Sequence, residues 1–468
     1  MRRLYAAVFA AFCILFFAAC GSGQSDKEAF LEDFEYIFQA MEDTFPYFGV
    51  AQRRLGVDIR ALADETRRII ENYPYSMQEQ AVAAGLAIED MPEMDVHVFW
   101  SILRHEFFAH FASLGNSQVL DFDDRERLLN FYTVPAIRVM SRYPVINALI
   151  FTNHDVVRFY NEQEQVFTAL PQENPALFQF LFRQDLPLTA AAPLLPVYTV
   201  EILEEGRIAY MHVSTFLVDN FRQHSPMMDR FFRDVQYYEH LIFDIRDADM
   251  GRVDFWRMLM MHVLWPYEDD MPYVPFYTFY KGTERARNLA QDHLDTEIIA
   301  SRFVPYTDHL ISADSILAGG NFPLLNAEDM QDLVYGLRLC TGLSHLTSNQ
   351  FHFAQEQMLI PRAHIPFRGQ IWLLTSENNT QAAAMFARQA KDMNFATLVG
   401  EATGGGYTST IMTHFRLPNS NIIVRWDIDY ITDQYGRSLV EFPTVPHYFN
   451  RPGMDALQTV LAMIGEMD

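Results

Sequence analysis

The sequence is poor in cysteine and in basic residues. Only three cysteines occur in 468 residues, and two of them, Cys13 and Cys20, lie at the N-terminus. So few thiols exclude a disulfide-stapled fold. Thirty-five Lys and Arg stand against 60 Asp and Glu, which gives a net charge of −25. A protein that binds nucleic acid needs a basic footprint, so nucleic acid is not an expected partner.

Several common catalytic and binding motifs are also missing. No Gly-x-Ser-x-Gly nucleophile elbow occurs. The glycine run at Gly404 lacks the lysine and the spacing of a phosphate-binding loop. His105 and His110 are five residues apart, which puts them about 140° apart on a helix, too far round to share a metal ion. The sequence therefore predicts no nucleotide, no metal and no cofactor.

The N-terminus has the pattern of an export signal. Arg2 and Arg3 precede an apolar run that ends in Ala18-Ala19-Cys20, and the chain then turns polar. Small residues directly before a cysteine resemble the bacterial lipobox. We therefore expect residues 1–19 to be a lipoprotein signal peptide and Cys20 to carry the lipid. The protein would then be exported and anchored to a bacterial envelope membrane, on its periplasmic or outer surface. An ordinary signal peptide or an uncleaved anchor is the alternative, and no later segment is apolar for the length of a membrane span.

The rest of the chain divides by its hydrophobic periodicity. Apolar residues recur at helical spacing through most of residues 20–170, which predicts an α-helical N-terminal domain. Prolines cluster in residues 171–200 and indicate a linker. Residues 201–468 alternate strand-like and helix-like segments, which predicts a parallel sheet with crossover helices. Mixed signals at about 266–368 indicate an insertion in this α/β core.

Four segments of the second half resemble one family of serine peptidases. They are residues 206–216, 241–251, 371–406 and 436–446, and the third contains Gly400-Glu401-Ala402-Thr403-Gly404. In this order they are similar to the tail-specific proteases, also called C-terminal processing peptidases. The resemblance implies an α/β fold with a crotonase-like (Clp protease-like) ββα core and a parallel sheet, preceded by the α-helical N-terminal domain.

The resemblance also implies that the catalytic positions are degenerate. The family has Ser-Ala-x-Glu at the start of a helix, where this chain has Gln381-Ala382-Ala383-Ala384. The lysine of one branch of the family falls on Gly406, and the histidine of another branch falls near Asn116 and Ser117. An amide cannot form the nucleophile of an acyl-enzyme, so Gln381, Ala384 and Gly406 indicate that the peptidase activity is lost.

Other family positions are retained, and nearby hydroxyls could substitute for the nucleophile. The turn Met250-Gly251 would keep the backbone donors of the oxyanion hole. Glu441 matches a late glutamate that orients the catalytic network in the histidine branch. Ser376 and Ser409 are the candidates for a displaced nucleophile, whereas Cys340 lies in the insertion, away from these segments.

The sequence thus predicts a binding protein on a peptidase scaffold. The expected partners are an extended peptide or the terminus of a protein chain, together with the membrane through the lipid, because a peptidase groove without a nucleophile can still hold a peptide. The alternatives are an active serine-type peptidase that uses a displaced nucleophile, a different hydrolase on the same fold, and a structural envelope protein. Fold alone does not choose among them.

Overall fold

A computed structural model describes residues 26–133, 149–183, 197–216, 221–248, 275–294, 304–305, 309–340, 367–405 and 412–467. The helices are α1 (Asp26–Thr44), α2 (Phe48–Leu55), α3 (Ile59–Asn72), α4 (Gln78–Ala83), α5 (Val96–Ile102), α6 (Phe122–Thr133), α7 (His154–Glu173), α8 (Pro175–Phe182), α9 (Phe221–Asp234), α10 (Glu284–Leu294), α11 (Ala313–Ala318), α12 (Gln381–Asp392) and α13 (Ala456–Gly465). The strands are β1 (Gln118–Val119), β2 (Tyr198–Glu204), β3 (Ile208–Val213), β4 (His240–Asp244), β5 (Pro275–Lys281), β6 (Val304–Pro305), β7 (Ile311–Ser312), β8 (Leu333–Cys340), β9 (Gln370–Thr375), β10 (Thr397–Gly400), β11 (Met412–Arg416), β12 (Ile423–Asp427), β13 (Asp429–Thr432) and β14 (Tyr448–Phe449).

The N-terminal region is helical, as its periodicity predicts, and its helices begin at polar caps. The Asp58 carboxylate accepts two backbone N–H groups at the start of α3, and Asp95 does the same for α5. Such caps satisfy N–H groups that have no partner within the helix. One short strand, β1, interrupts the helical region and pairs with β12 near the other end of the chain. The N-terminal region is therefore joined to the C-terminal half through a shared sheet.

The proline-rich segment differs from its predicted form where the structure describes it. Helix α7 continues through Pro171, and Pro175 occupies the first turn of α8, which Asn174 caps. Proline is tolerated in the first turn of a helix because the N–H that it lacks would have no helical partner there. Residues 171–173 and 175–182 are thus helical, and the linker and the domain boundaries stay a prediction.

The central sheet confirms the predicted α/β class with a parallel sheet. Its described strands run in the order β14-β10-β9-β4-β3-β2. All neighbours are parallel except the β2–β3 pair. Strand β4 is buried along its whole length, as expected for a central strand covered on both faces. One face packs against a cluster that includes α12, and the other packs against α13.

Two further sheets surround this core. Strands β1, β12 and β11 form one of them. The other sheet contains β13 together with three strands of the predicted insertion, β5, β8 and β6. The main cluster of buried apolar side chains extends from Phe30 in α1 to Val440 near the C-terminus. No helix within the described residues is both long enough and apolar enough to span a bilayer.

One buried carboxylate connects α1 to the turn between β11 and β12. Asp33 accepts the backbone N–H groups of Asn419 (2.9 Å) and Ser420 (2.7 Å). Desolvation by burial raises the pKa of Asp33 above its usual value. The hydrogen bonds favour the charged form and oppose this effect. The N-terminal helix is thereby anchored to a turn almost 400 residues further along the chain.

We expect Asp33→Ala to lower the free energy of unfolding by about 2–4 kcal/mol, because the buried N–H of Ser420 and the partly buried N–H of Asn419 lose their acceptor. Urea denaturation followed by circular dichroism measures this change. Glu65→Ala, on the exposed side of α3, is the control and should change the free energy by less than about 0.5 kcal/mol. Equal, small effects of the two substitutions would show that Asp33 is not an anchor.

Candidate functional site

One buried side chain, that of Asn379, holds the loop between β9 and α12. Its Nδ2 donates to the carbonyls of Ile245 (2.5 Å) and Ala248 (2.7 Å), and its Oδ1 accepts the N–H of Ser376 (2.8 Å). Ile245 and Ala248 follow β4, the strand beside β9. The carboxyl ends of adjacent parallel strands lie at one edge of a sheet. Asn379 therefore joins two loops at the edge where the resemblance expects the catalytic groups.

Helix α12 begins at Gln381, the predicted position of the missing nucleophile. The backbone φ of Gln381 is +46°, in the left-handed region that residues other than glycine rarely adopt. Its Nε2 donates to Oδ1 of Asn116 at 2.7 Å. A strained backbone of this kind persists only where the surrounding contacts impose it. The contact with Asn116 brings together two positions that the resemblance assigns to the nucleophile and to a base.

Asn116 continues the hydrogen-bond chain to a buried acid. Its Nδ2 donates to Oδ2 of Asp427 at 2.7 Å, and the carbonyl of Gly115 accepts the N–H of Asp427 at 2.7 Å. Gly115 and Asn116 both have positive φ. A Cβ on Gly115 would lie 2.9 Å from the ring of Tyr47, so only glycine fits this turn. The turn after the N-terminal helices is therefore docked on the end of β12.

The Gln381–Asn116–Asp427 chain has the layout of a proton relay but not its chemistry. A carboxylate only accepts hydrogen bonds, so Asp427 requires the Nδ2 of Asn116. The oxygen of Asn116 then faces Gln381, which must present its own Nε2. Neither amide titrates near neutral pH, so a proton cannot pass from Gln381 to Asp427 along this chain.

Glu441 lies in a different cluster from the one that the resemblance implies. Its two oxygens accept hydrogen bonds from Nε (2.9 Å) and Nη2 (2.8 Å) of Arg53. Arg53 also donates to Asp329, from Nη1 at 3.0 Å and from Nη2 at 2.6 Å. These hydrogen bonds raise the pKa of Arg53. The acid that contacts Asn116 is thus Asp427. Glu441 instead forms an ion-pair cluster with Asp329 and with Arg53 of helix α2.

Arg54, the next residue of α2, contacts the glycine-rich segment. Its guanidinium donates to the carbonyls of Gly404 (2.8 Å) and Val440 (2.5 Å). Gly405 in turn forms a backbone bridge with Thr380, the residue before α12. Burial lowers the pKa of Arg54. Helix α2 thus holds together the segments on either side of the candidate site.

The hydroxyl of Ser376, the first candidate for a displaced nucleophile, is engaged by backbone groups. Its Oγ donates to the carbonyl of Arg246 at 2.6 Å and accepts the N–H of Asn378 at 3.2 Å. Ala384 is buried in α12. The remaining predicted site residues lie outside the described part of the chain: these are Cys20, Met250, Gly251, Gly406 and Ser409.

The two histidines that resemble a metal motif lie in different environments. His105 is partly buried, whereas His110 is exposed. Burial, together with the charges of Arg183 and Arg104, lowers the pKa of His105 to about 3. No group of three or more metal-ligating side chains occurs among the residues that the structure describes.

Sequence reasoning did not identify Asp427 and Asn379. Asp427 ends a strand that is otherwise mostly apolar, and an acid inside such an apolar run is the sequence signal that could have marked it, because buried acids need partners. Asn379 lies in the polar stretch Ser376-Glu377-Asn378-Asn379-Thr380, in which nothing distinguishes it from a solvent-exposed loop residue.

Comparisons with known proteins place this site on a family scaffold. A family profile described as Peptidase family S41 matches residues 207–448. No curated protein sequence matches the chain. Among solved structures, mature CPAF complexed with lactacystin is similar at 12% identity and a TM-score of 0.48, over 94% of this chain and 97% of that one. A lipoprotein from Streptococcus agalactiae is similar at 9% identity and a TM-score of 0.44, over 96% and 99% of the two chains.

We expect Asn116→Ala to destabilise the protein by about 2 kcal/mol more than Asn394→Ala, because the buried Asp427 loses a hydrogen-bond donor. Asn394 is the matched control, since it also has a left-handed backbone (φ +52°) but an exposed side chain. Both substitutions therefore carry the same backbone cost. Urea denaturation gives the two free energies, and equal losses would contradict the hydrogen-bond chain.

Proposed function

The chain belongs to peptidase family S41, and from this premise we propose that it is an exported, lipid-anchored envelope protein that binds extended peptides or chain termini without cleaving them. The family match covers more than half of the chain. In this proposal the domain binds a peptide as a peptidase does, but it does not form a covalent acyl-enzyme.

The observation that carries this proposal is the 2.7 Å contact between Nε2 of Gln381 and Oδ1 of Asn116. Acyl transfer needs a nucleophile that gives up its proton to a neighbouring base. A carboxamide is a poor nucleophile and a very weak base, and here one carboxamide contacts another. The Asp427 carboxylate contacts the second of these carboxamides, that of Asn116. The arrangement supports a domain without the acyl-enzyme step.

The environment of Ser376 supports the same conclusion about a displaced nucleophile. Its hydroxyl donates to the Arg246 carbonyl at 2.6 Å, and a carbonyl oxygen cannot take up the hydroxyl proton as a general base. Among the described residues, no charged side chain and no histidine is hydrogen-bonded to this hydroxyl. Ser376 thus has the role of a residue that fixes a loop.

Several features that suit peptide binding remain at this edge of the sheet. The start of α12 brings the positive end of a 12-residue helix to the site, which favours a carboxylate or a peptide carbonyl. The adjoining loops are fixed by Asn379 and Arg54. A preformed groove costs less conformational entropy on binding than a mobile one. A groove of this kind can take an extended chain through main-chain hydrogen bonds.

The membrane anchor rests on the N-terminal sequence. Ala18-Ala19-Cys20 ends an apolar run that begins after two arginines. A single cleavage before Cys20 would leave that cysteine as the lipid-bearing first residue. Helix α1 begins at Asp26, six positions after Cys20, so this helix would start close to the membrane surface.

We expect no labelling of the full-length protein by a fluorophosphonate probe, with chymotrypsin as the labelled control, because Gln381 cannot form the adduct. In parallel, an array of extended peptides should give specific binders that mass spectrometry finds intact after incubation. Labelling that disappears in Ser376→Ala or Ser409→Ala would contradict the loss of catalysis. An array with no binders would contradict the binding role.

We expect metabolic labelling with radioactive palmitate to mark the protein when it is expressed in a bacterium, and Cys20→Ala to abolish the label. Cys13→Ala and Cys340→Ala are the matched controls, since each removes one thiol and should keep the label. Retention of the label in Cys20→Ala, or an unlabelled wild type, would contradict the lipid anchor.

A further inference from the structure

Strand β2 lies at one edge of the central sheet. It pairs with β3 on one side, and none of the described strands pairs with its other side. The four residues from Thr199 to Ile202 are all exposed, and the register with β3 is regular from Tyr198 to Ile202, after which it shifts. An exposed edge strand presents backbone groups that can pair with a further strand. The outer side of residues 198–202 is called the β2 edge below.

The pairing with β3 determines which backbone groups point out of the sheet. The N–H of Ser214 donates to the carbonyl of Val197 at 3.0 Å. In an antiparallel pair, residues that are hydrogen-bonded to the neighbouring strand alternate with residues that are not. Counted from Val197, the residues that direct their N–H and C=O groups away from β3 therefore include Val200 and Ile202. No described strand takes up these four groups.

The same two residues present apolar side chains. Val200 is 37% exposed and Ile202 is 39% exposed, and they share one face of the sheet because side chains alternate along a strand. Their partners on β3 are Met211 and Ala209, which belong to the main apolar cluster. Apolar side chains added beside Val200 and Ile202 would extend this cluster and cover exposed apolar surface.

The charge of the β2 edge comes from Glu201. It is the one charged residue in the segment 198–202, and it is exposed on the face opposite to Val200 and Ile202. Glu204, at the end of β2, is already paired with Arg207 at 2.9 Å, whereas Glu201 has no ion pair among the described residues. A strand hydrogen-bonded to the β2 edge places one residue directly opposite Glu201. Opposite charges stabilise such a cross-strand pair and like charges destabilise it.

A second copy of the chain is a poor partner for this edge. If two copies pair antiparallel through Val200 and Ile202, their Glu201 side chains lie directly opposite each other. Two like charges at this position are unfavourable. Each chain also has a net charge of −25, which opposes association between copies. The β2 edge therefore favours a partner that is basic.

We propose that the β2 edge binds an extended peptide with the order apolar–basic–apolar, which adds to the sheet antiparallel to β2. The two apolar residues form backbone hydrogen bonds with Val200 and Ile202, and the basic residue lies opposite Glu201. Such a peptide runs in the same direction as β3 and β4. Its C-terminal end thus lies at the carboxyl edge of the sheet, which carries the candidate site. The inference rests on the proposed peptide-binding function and names the class of peptide.

The first test compares two fluorescent heptapeptides by anisotropy on the full-length protein. One has the sequence Gly-Thr-Val-Lys-Val-Thr-Gly, and the other has Glu in place of Lys. We expect the Lys peptide to bind at least about fivefold more tightly, because the change replaces an opposite-charge pair with a like-charge pair at Glu201.

The second test removes hydrogen bonds from the peptide and leaves the protein unchanged. N-methylation of both valine amides should weaken binding at least about tenfold, because two donors to the β2 edge are lost. N-methylation of the lysine amide is the matched control, since in the proposed register that N–H points away from β2. It should change the affinity by less than about twofold.

Protein variants test the two residues that set the preference. Glu201→Lys should reverse it, so that the Glu peptide binds more tightly than the Lys peptide. Glu65→Lys is the matched control, because it changes the net charge equally at an exposed position of α3. Val200→Pro should weaken both peptides, since proline removes an N–H from the β2 edge and is tolerated in an edge strand when that N–H faces outward. Circular dichroism checks that each variant is folded.

The outcomes distinguish this inference from the proposed function. Heptapeptides that bind with no effect of valine N-methylation, or a preference for Lys that survives in Glu201→Lys, would overturn the inference and leave peptide binding intact. Failure of both heptapeptides to bind, while other extended peptides of the array do bind, would overturn it in the same way. An array without any binders would overturn the proposed function as well. A dimer in sedimentation experiments that Val200→Pro dissociates would assign the edge to a second copy.

Discussion

The hydrogen-bond chain from Gln381 through Asn116 to Asp427 is the constraint on which the site depends. It joins residues that are 265 and 311 positions apart in the sequence. The first two have left-handed backbones, and strain of this kind requires support from the surrounding structure. The chain thereby connects the start of α12, the turn after the N-terminal helices and the end of β12. It adds directional side-chain contacts to the backbone hydrogen bond between Gly115 and Asp427 and to the apolar packing, which is not directional.

The same chain explains why a peptidase scaffold is compatible with a binding role. Each amide is at once a donor and an acceptor, so two of them can bridge a buried carboxylate to the helix start. A buried carboxylate that lacked such a donor would be costly. Amides perform this structural task without moving protons, since they do not titrate near neutral pH. Structural support is thus separated from proton transfer.

Helix α2 makes the second set of connections. Arg53 draws Asp329 and Glu441 into one cluster, and Arg54 holds two backbone carbonyls beside the start of α12. Two adjacent arginines therefore have different roles, since one balances carboxylates and the other satisfies carbonyls.

The sequence predicted the core of the fold better than its long-range contacts. The alternation of strand-like and helix-like segments predicted the parallel sheet because apolar runs are local signals, and α12 starts at Gln381 as the resemblance implies. The resemblance also led to Asn116, which does contact Gln381. Asp427 was missed because its partner is 311 residues away. The ion pair of Glu441 with Arg53, from a helix almost 400 residues earlier, is likewise a long-range contact that the sequence does not reveal. Pro175 begins a helix because Asn174 caps it, and the linker stays a prediction.

The central claim is that two neutral amides occupy the place of a proton relay. A high-resolution crystal structure of the full-length protein tests it most directly, through the distance between Gln381 Nε2 and Asn116 Oδ1 and the orientation of both amides. The account predicts a contact near 2.7 Å, with Asn116 Nδ2 on Asp427. Amides more than about 3.5 Å apart, or a serine or threonine hydroxyl bonded to a histidine, lysine or carboxylate at the start of α12, would contradict it.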